Sequence, residues 1–226
     1  MLAIKRALDV IVALGLLVIL APLLAVIWIA VWAESGTPVI FHARRLGKDG
    51  EPFTMYKFRT MAPGAAVALQ TLASRNLAQG MVKIPDDPRT TPLGRILRRF
   101  SLDELPQLWN VVRGDMSLVG PRPHEVGELS VGDGLNRQRL TMRPGLTGLW
   151  QVNARTNPSL AVRVEHDLAY IARWSMLLDL AIVLKTIPVV LRGEGGRVTR
   201  PTRTRTGRPA SCNGASASNG NLRAIW

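Results

Sequence analysis

The sequence contains few of the residues that build disulfide frameworks or zinc sites. Its 226 residues include one cysteine, Cys212, and three histidines, so no disulfide can form within the chain and no paired-cysteine metal spacing occurs. His42, His124 and His166 are too scattered along the chain to indicate a zinc site. The phosphate-binding patterns GxGxxG and GxxxxGK[ST] are also missing. The sequence therefore excludes a disulfide-stapled domain and gives no sign of a dinucleotide fingerprint or a P-loop.

Acidic residues are scarce relative to basic ones. The chain has 16 Asp and Glu against 29 Lys and Arg, which gives a formal net charge of +13 and a pI near 11.3. Such an excess favours anionic partners, among them nucleic acid, anionic lipid and phosphorylated metabolites. Residues 192–226 hold seven arginines and one glutamate and show no apolar period. This composition predicts a basic, disordered tail.

One long apolar run, Val10 to Trp32, contains no charged residue. A straight helix of that length would reach about 35 Å, enough to cross a bilayer. A signal peptide also begins with basic residues, but its apolar core is normally shorter, about 7–15 residues. The third interpretation is a helix that breaks at Pro22 and leaves the membrane by the face it entered.

Two features favour the broken helix. Pro22 lies at the midpoint of the run, where it removes a backbone donor and forces a kink. Basic residues flank both ends, and the positive-inside rule is satisfied on both sides only if both flanks are cytoplasmic. The flanking basic residues are Lys5 and Arg6 before the run, and Arg44, Arg45, Lys48, Lys57 and Arg59 after it.

The segment after the run has the pattern of a β-hairpin. Asp49-Gly50 lies between two apolar-bearing segments, a strong turn signal. The second strand is predicted to read PFTMYKFRTM, and side chains alternate along a strand, so Lys57 and Arg59 share one face. Two neighbouring cations are typical of a solvated face, but they also suit a bound anion.

Two adjacent carboxylates, Asp103 and Glu104, lie in a strongly basic neighbourhood. Ser101 followed by Glu104 fits a capping box, in which the acids would only support a helix start. Pro106 argues against a regular first turn because it deletes a backbone hydrogen bond. Alternatively, the pair suits phosphoryl transfer, in which one carboxylate attacks phosphorus, the second holds Mg²⁺, and nearby cations neutralise the phosphates.

Other segments fit an anionic substrate at a membrane surface. Arg122 lies between Pro121 and Pro123, which restrict the backbone and would present the guanidinium rigidly to a phosphate. The alternative is a tight turn with a solvated arginine. The segment LGRILRRF predicts a basic amphipathic helix with Ile96, Leu97 and Phe100 on one face. The segment LAYIARWSMLLDLAIVLKTIPVVL predicts a buried or interfacial helix.

Together these motifs resemble the bacterial sugar transferase family, the monotopic phosphoglycosyl transferases. The resemblance runs from about Lys5 to about Leu191. It rests on KRALDV, RRLGKDGEPFTMYKFRTM, DDPRTTPLGRILRRFSLDELPQLWNVVRGDMSLVGPRP, RPGLTGLWQVNAR and LLDLAIVLKTIPVV, in that order. It implies a catalytic domain on a re-entrant membrane helix that transfers a sugar 1-phosphate from a nucleotide diphosphate sugar to a polyprenyl phosphate, usually undecaprenyl phosphate. UMP leaves when the donor is a UDP-sugar.

The resemblance also implies residue roles. Asp103 takes the position of the nucleophile, and Glu104 that of its Mg²⁺-binding partner. Motif positions associated with phosphate and substrate contacts hold Lys57, Arg59, Arg98, Arg122 and Arg143. The chain departs from the family pattern in having Ala21-Pro22 in place of Ser-Pro, and in lacking a glycine before the arginine of VNAR. Larger members carry additional N-terminal membrane spans, which this chain is expected to lack.

The resulting prediction is an α/β fold in three segments. Residues 1–36 form a Pro-broken re-entrant membrane helix, residues 37–191 a small catalytic domain with amphipathic interfacial helices, and residues 192–226 the basic tail. The expected location is the cytoplasmic face of the bacterial inner membrane. The expected partners are a nucleotide sugar donor, a polyprenyl phosphate acceptor, Mg²⁺ and the bilayer, but not nucleic acid. A homodimer and the identity of the sugar stay open.

Two rival functions remain at this point. A non-enzymatic basic protein that binds nucleic acid or anionic lipid would account for the net charge and the tail, and it predicts salt-sensitive DNA binding with no dependence on Asp103. A conventional glycosyl transferase would release UDP rather than UMP. The released nucleotide separates the two enzymatic alternatives.

Overall fold

The computed structural model describes residues 2–65, 84, 86–125, 134–157 and 159–193. Residues 62–85, whose sequence predicts a partly helical segment, lie almost wholly outside these residues, as does nearly all of the predicted disordered tail. The fold mixes helices with two small sheets, which confirms the mixed class, although helices make up most of it. The helices are α1 Leu2–Ile19, α2 Ala21–Ser35, α3 Pro92–Arg99, α4 Gln107–Arg113, α5 Gly134–Arg139, α6 Leu149–Asn153, α7 Leu160–Ala172 and α8 Met176–Leu191. The strands are β1 Ile40–Leu46, β2 Pro52–Phe58, β3 Ser117–Val119, β4 His124–Glu125 and β5 Gly145–Thr147.

The apolar run folds as two helices, α1 and α2, with a bend of 63° between them. Pro22 lies in the first turn of α2, where its missing N–H leaves the Val18 carbonyl without its helical partner. Within the described residues, no single helix has both the length and the apolar content to cross a bilayer, whereas the bent pair meets both conditions together. The predicted break at Pro22 is confirmed.

The hairpin forms as predicted and joins a third strand. Strands β1 and β2 pair antiparallel with Ala43 opposite Met55, and β4 adds to the other edge of β1. Asp49 and Gly50 both have positive φ in the connecting turn, which is the conformation their sequence favours. Strands β3 and β5 form a separate parallel pair.

Each N-terminal helix contributes to a core of its own. Ala13 of α1 packs with Met55 and with the α4 residues Leu108 and Val111. The corresponding α2 cluster contains Ile27, Val31, Val39, Phe58 and Leu97. A third cluster joins β3, α7 and α8 through Val119, Tyr170 and Ile182. The bent pair is therefore packed into the domain that follows it.

Buried polar contacts fasten α1 to the C-terminal helices. Lys5 Nζ donates to Asp179 Oδ2 at 2.6 Å, and the Tyr170 hydroxyl donates to Asp179 Oδ1 at 2.7 Å. Asp9 accepts from the Ser117 hydroxyl at 2.7 Å and lies 3.8 Å from Lys5 Nζ. Two carboxylates thus depend on one buried ammonium, and removing it would leave both without a cation.

The two segments predicted to be interfacial helices differ in detail from that prediction. The C-terminal apolar stretch divides into α7 and α8, because the chain turns at 173–175 and Ser175 caps the N-terminus of α8. Helix α8 exposes an apolar stripe. The stripe consists of Leu177, Leu180, Leu184, Ile187 and Leu191. In α3, Leu97 is buried but Ile96 is 54% exposed, so the predicted apolar face is only partly buried.

The Lys5 ammonium should contribute strongly to stability. Lys5→Met leaves Asp9 and Asp179 buried without a counter-charge, so we expect the free energy of unfolding to fall by about 3–5 kcal/mol. The matched control is Lys185→Met, at an exposed position on α8, which should stay within about 0.5 kcal/mol of the parent. Denaturant unfolding followed by tryptophan fluorescence measures both, and equal values for the two variants would contradict a stabilising role for the buried pair.

Candidate active site

The acid pair lies in a short 3₁₀ turn, Leu102–Glu104, between α3 and α4. The turn is irregular, as Pro106 predicted, and Pro106 itself caps α4. Ser101 has a left-handed backbone with φ of 58° and makes no side-chain cap. Its hydroxyl has no hydrogen-bond partner among the described residues. The capping-box interpretation is therefore wrong, because the Ser101 side chain caps nothing and the Glu104 side chain bonds to Lys57 and Arg122. The strained Ser101 lies two residues before Asp103.

One oxygen of Glu104 is shared by two cations from distant parts of the chain. Lys57 Nζ, near the end of β2, lies 2.9 Å from Glu104 Oε1. Arg122 Nη2, in the loop after β3, lies 3.1 Å from the same atom. Glu104 is 9% exposed, so these contacts form largely out of solvent and are stronger than surface pairs.

The pKa values of the two carboxyl groups are shifted in opposite directions. Burial by itself would raise the pKa of Glu104, but the charges of Lys57, Arg122 and Arg155 hold that pKa well below its usual range. Burial raises the pKa of Asp103, and the neighbouring Glu104 carboxylate adds to the rise against the opposing charges of Lys57 and Arg98. Glu104 is thus a fixed anion, whereas Asp103 is the more basic carboxylate of the pair.

The Asp103 carboxylate makes no hydrogen bond or ion pair with any described residue, although it is only 8% exposed. Its lone pairs are consequently not committed to the protein. A basic, unbonded carboxylate beside several cations can attack an electrophile whose negative charge those cations neutralise. The arrangement therefore provides a nucleophile and an anion site together.

The Arg98 guanidinium interacts electrostatically with Asp103 and is fixed by two threonine hydroxyls. Its Nε donates to Thr60 Oγ1 at 2.8 Å and its Nη1 to Thr90 Oγ1 at 3.2 Å. Burial lowers the pKa of the Arg98 guanidinium, and the Asp103 carboxylate partly opposes that shift. A guanidinium stays charged in spite of such a shift, so Arg98 supplies a fixed positive charge to the site.

The Arg122 loop rests on a buried platform. The Arg122 backbone N–H donates to Asp167 Oδ1 at 3.3 Å, and Asp167 also pairs with Arg139. The Arg122 guanidinium carbon lies 5.8 Å from the centroid of the Trp150 ring. These contacts hold the side chain toward Glu104, which agrees with the rigid presentation expected of an arginine between two prolines.

Two of the predicted site arginines bind elsewhere. The Arg59 guanidinium donates to the Ser35 and Gly36 carbonyls at the C-terminus of α2, not to the acids. Arg143 Nε donates to the Gly114 carbonyl at 2.8 Å, beyond the far end of α4. The structure therefore brings together Lys57, Arg98 and Arg122 around Asp103 and Glu104, and gives Arg59 and Arg143 contacts with backbone carbonyls.

Arg155 is a site residue that the sequence reasoning did not assign. Its charge lowers the pKa of both acids, which places it near the pair. It ends the motif RPGLTGLWQVNAR, so a signal was present. However, residue spacing alone could not show that the turn after α6 approaches the acids.

The donor set suits Mg²⁺ bound with phosphate. The described residues contain no cluster of three or more His, Cys, Asp or Glu side chains, so the protein offers two neighbouring carboxylates only. Mg²⁺ is commonly held by one or two carboxylates together with substrate phosphates and waters. The unbonded Asp103 carboxylate and the second oxygen of Glu104 fit that pattern.

A family model and several known proteins match this chain. The family model described as bacterial sugar transferase matches residues 1–193. The exopolysaccharide production protein ExoY of Sinorhizobium fredii is 43% identical over 84% of this chain and 87% of that relative. The undecaprenyl-phosphate galactose phosphotransferase of Salmonella typhimurium is 41% identical over 84% of this chain and 41% of that relative.

A third relative extends the same pattern. The UDP-glucose:undecaprenyl-phosphate glucose-1-phosphate transferase of Escherichia coli is 40% identical over 81% of this chain. Only 39% of that relative is matched, so the chain spans about two fifths of the length of the two transferases named for undecaprenyl phosphate. With the family model covering most of its length, the chain belongs to the bacterial sugar transferase family.

Proposed function

We propose that this chain transfers a sugar 1-phosphate from a UDP-sugar to undecaprenyl phosphate and releases UMP, through a covalent intermediate on Asp103. The reaction would be the first membrane step of exopolysaccharide or related glycoconjugate synthesis. The observation that carries the proposal is that two adjacent buried carboxylates have different partners and pKa shifts in opposite directions. Glu104 is held by Lys57 and Arg122, whereas burial raises the pKa of Asp103 and its carboxylate bonds to no residue in the described part of the chain.

In the first step, a carboxylate oxygen of Asp103 attacks the β-phosphorus of the nucleotide sugar. A bond forms between that oxygen and phosphorus, and the bond from the β-phosphorus to the oxygen bridging the two phosphates breaks. UMP leaves with the electron pair, and the sugar phosphate remains as an acyl phosphate on Asp103. Lys57, Arg98 and Arg122 are positioned to neutralise the diphosphate, which would otherwise repel the attacking anion.

In the second step, a phosphate oxygen of undecaprenyl phosphate attacks the same phosphorus. The acyl–phosphate bond breaks, Asp103 recovers its carboxylate, and the sugar becomes attached to the lipid through a diphosphate. No net proton transfer is required, because a phosphate anion replaces a carboxylate. The same cations serve both steps, since each step places negative charge at the same phosphorus.

Mg²⁺ is the metal ion expected at this site. Glu104, with Asp103 beside it, would hold the ion against the donor diphosphate. When bound, it would neutralise phosphate charge and so lower the barrier to nucleophilic attack.

The exposed apolar surface supports a membrane location. At the bend, Val18 and Ile19 are 75% and 74% exposed, and the apolar stripe of α8 is exposed as well. Basic residues precede and follow the apolar run Val10–Trp32. These features support a re-entrant helix pair in the bacterial inner membrane, with α8 at the interface and the catalytic residues on the cytoplasmic face.

Substitution of the acids tests the proposed chemistry. Asp103→Asn keeps the shape of the side chain but removes the nucleophile, so turnover should fall about 10³-fold or more. Glu104→Gln should also be severely impaired, because it removes the anion that Lys57 and Arg122 bind and the expected metal ligand. The control is Asp49→Asn, in the exposed hairpin turn, which should keep parental turnover.

The released nucleotide is identified in the same assay. UMP should appear in stoichiometric amount with lipid-linked sugar. Release of UDP would instead assign the chain to conventional glycosyl transfer, and near-parental turnover by Asp103→Asn would rule out the covalent route.

Labelling of single cysteines tests the topology. In a Cys212→Ser background, Ala3→Cys lies in the first turn of α1, before the apolar run, and Lys48→Cys lies in the hairpin turn after it; both positions are exposed. Because a re-entrant pair keeps both flanks in the cytoplasm, an impermeant maleimide should label neither site in intact cells and both sites after lysis. Labelling of residue 3 alone in intact cells would establish a spanning arrangement.

A further inference from the structure

Asn110 of α4 is fully buried and its side chain bonds to the free edge of strand β2. Asn110 Nδ2 donates to the Thr54 carbonyl at 2.7 Å, and Asn110 Oδ1 accepts from the Tyr56 backbone N–H at 3.1 Å. In the described sheet, with strand order β2-β1-β4, β2 is an edge strand. The amide therefore occupies the place that a neighbouring strand would take, and it satisfies one acceptor and one donor of that edge.

The Asn110 side chain is also held by the turn that follows its helix. Its Nδ2 donates to Asp115 Oδ2 at 3.0 Å. The backbone carbonyl of Asn110 accepts from the backbone N–H groups of Gly114, Asp115 and Met116, which close the C-terminus of α4. In the side chain, Nδ2 faces two acceptors and Oδ1 faces one donor, so the amide has one satisfied orientation.

The two elements that Asn110 joins carry the two sides of the Lys57–Glu104 contact. Tyr56, whose N–H bonds to Asn110, directly precedes Lys57. Helix α4 begins at Gln107, three residues after Glu104. We propose that Asn110 is a positioning residue that sets the separation of β2 from α4, and thereby the 2.9 Å contact between Lys57 and Glu104. The proposal rests on the proposed function, because it assigns that contact a part in catalysis.

Pairing with β1 fixes the register of β2 inside the sheet, but it does not fix the position of β2 relative to α4. That position decides whether Lys57, on β2, meets Glu104, which lies three residues before α4. Small displacements matter, since a misplacement of about 1 Å in a catalytic group can cost about 10²-fold in rate. Met55 and Leu108 belong to one apolar cluster that brings the two elements together, but apolar packing is less directional than a hydrogen-bonded amide.

The test compares Asn110→Asp with a control on the same helix. The new carboxylate would face the Thr54 carbonyl and the Asp115 carboxylate, so β2 should shift away from α4. We expect kcat to fall about 10-fold or more while KM for the UDP-sugar changes less than about threefold. The control is Val111→Ala, which removes a fully buried apolar side chain of α4. It should lower the melting temperature but retain kcat at a temperature where both variants are folded.

A second substitution separates the contact with β2 from the contact with Asp115. In Asn110→Asp/Asp115→Asn the amide at position 115 can donate to the new carboxylate, but the Thr54 carbonyl still faces an oxygen in place of the Nδ2 donor. We expect kcat to stay about 10-fold or more below that of the Asp115→Asn single variant, whereas recovery to within about threefold would assign the effect to the Asp115 contact and overturn the proposal. If Asn110→Asp does not fold, Asn110→Ser, which removes the amide without adding charge, takes its place in the comparison with Val111→Ala.

A double-mutant cycle with Lys57→Met identifies the route of the effect. If Asn110 acts through Lys57, Lys57→Met should reduce kcat by a smaller factor in the Asn110→Asp background than in the parent. Multiplicative effects, or an equal loss of kcat in Val111→Ala, would overturn the proposal. Retained turnover by Asp103→Asn would instead overturn the proposed function, and the cycle would still report whether Asn110 and Lys57 are coupled.

Discussion

The site depends on a single carboxylate oxygen, Oε1 of Glu104, which is bound at once by Lys57 and Arg122. Burying a carboxylate without partners is costly, so the two cations are what allow Glu104 to remain an anion inside the protein. They also bring the β2 strand and the proline-flanked loop to the same turn. Asp103 therefore lies beside a carboxylate whose charge is neutralised by Lys57 and Arg122. Its own carboxylate has a raised pKa and makes no hydrogen bond or ion pair with a described residue.

Contacts outside the site hold the β2 strand, the proline-flanked loop of Arg122 and the turn of the two acids in place. Helix α1 packs on α4, and Lys5 ties α1 to α8 through Asp179. Arg59, two residues after Lys57, donates hydrogen bonds to the backbone carbonyls at the C-terminus of α2, so the strand that carries Lys57 ends on the apolar helix pair. The helices that expose apolar surface are thus connected by buried contacts to the turn that holds Asp103 and Glu104.

Local features were predictable from the sequence, and tertiary ones were not. The hairpin at Asp49-Gly50 and the break at Pro22 follow from turn and proline chemistry that acts over a few residues. The capping box failed because the left-handed backbone of Ser101 leaves no trace in residue type. The family pattern located the acids, but the destinations of Arg59 and Arg143 and the approach of Arg155 depend on side-chain reach and chain packing. Periodicity cannot supply either.

The covalent step is the central claim, and intact-protein mass spectrometry tests it most directly. The enzyme is incubated with Mg²⁺ and a UDP-sugar in the absence of lipid acceptor, then quenched and digested. The covalent route predicts that the protein gains the mass of one sugar phosphate, that the adduct maps to the peptide containing Asp103, and that undecaprenyl phosphate removes it. Turnover with acceptor but no adduct under any quench, or an adduct on another residue, would contradict it.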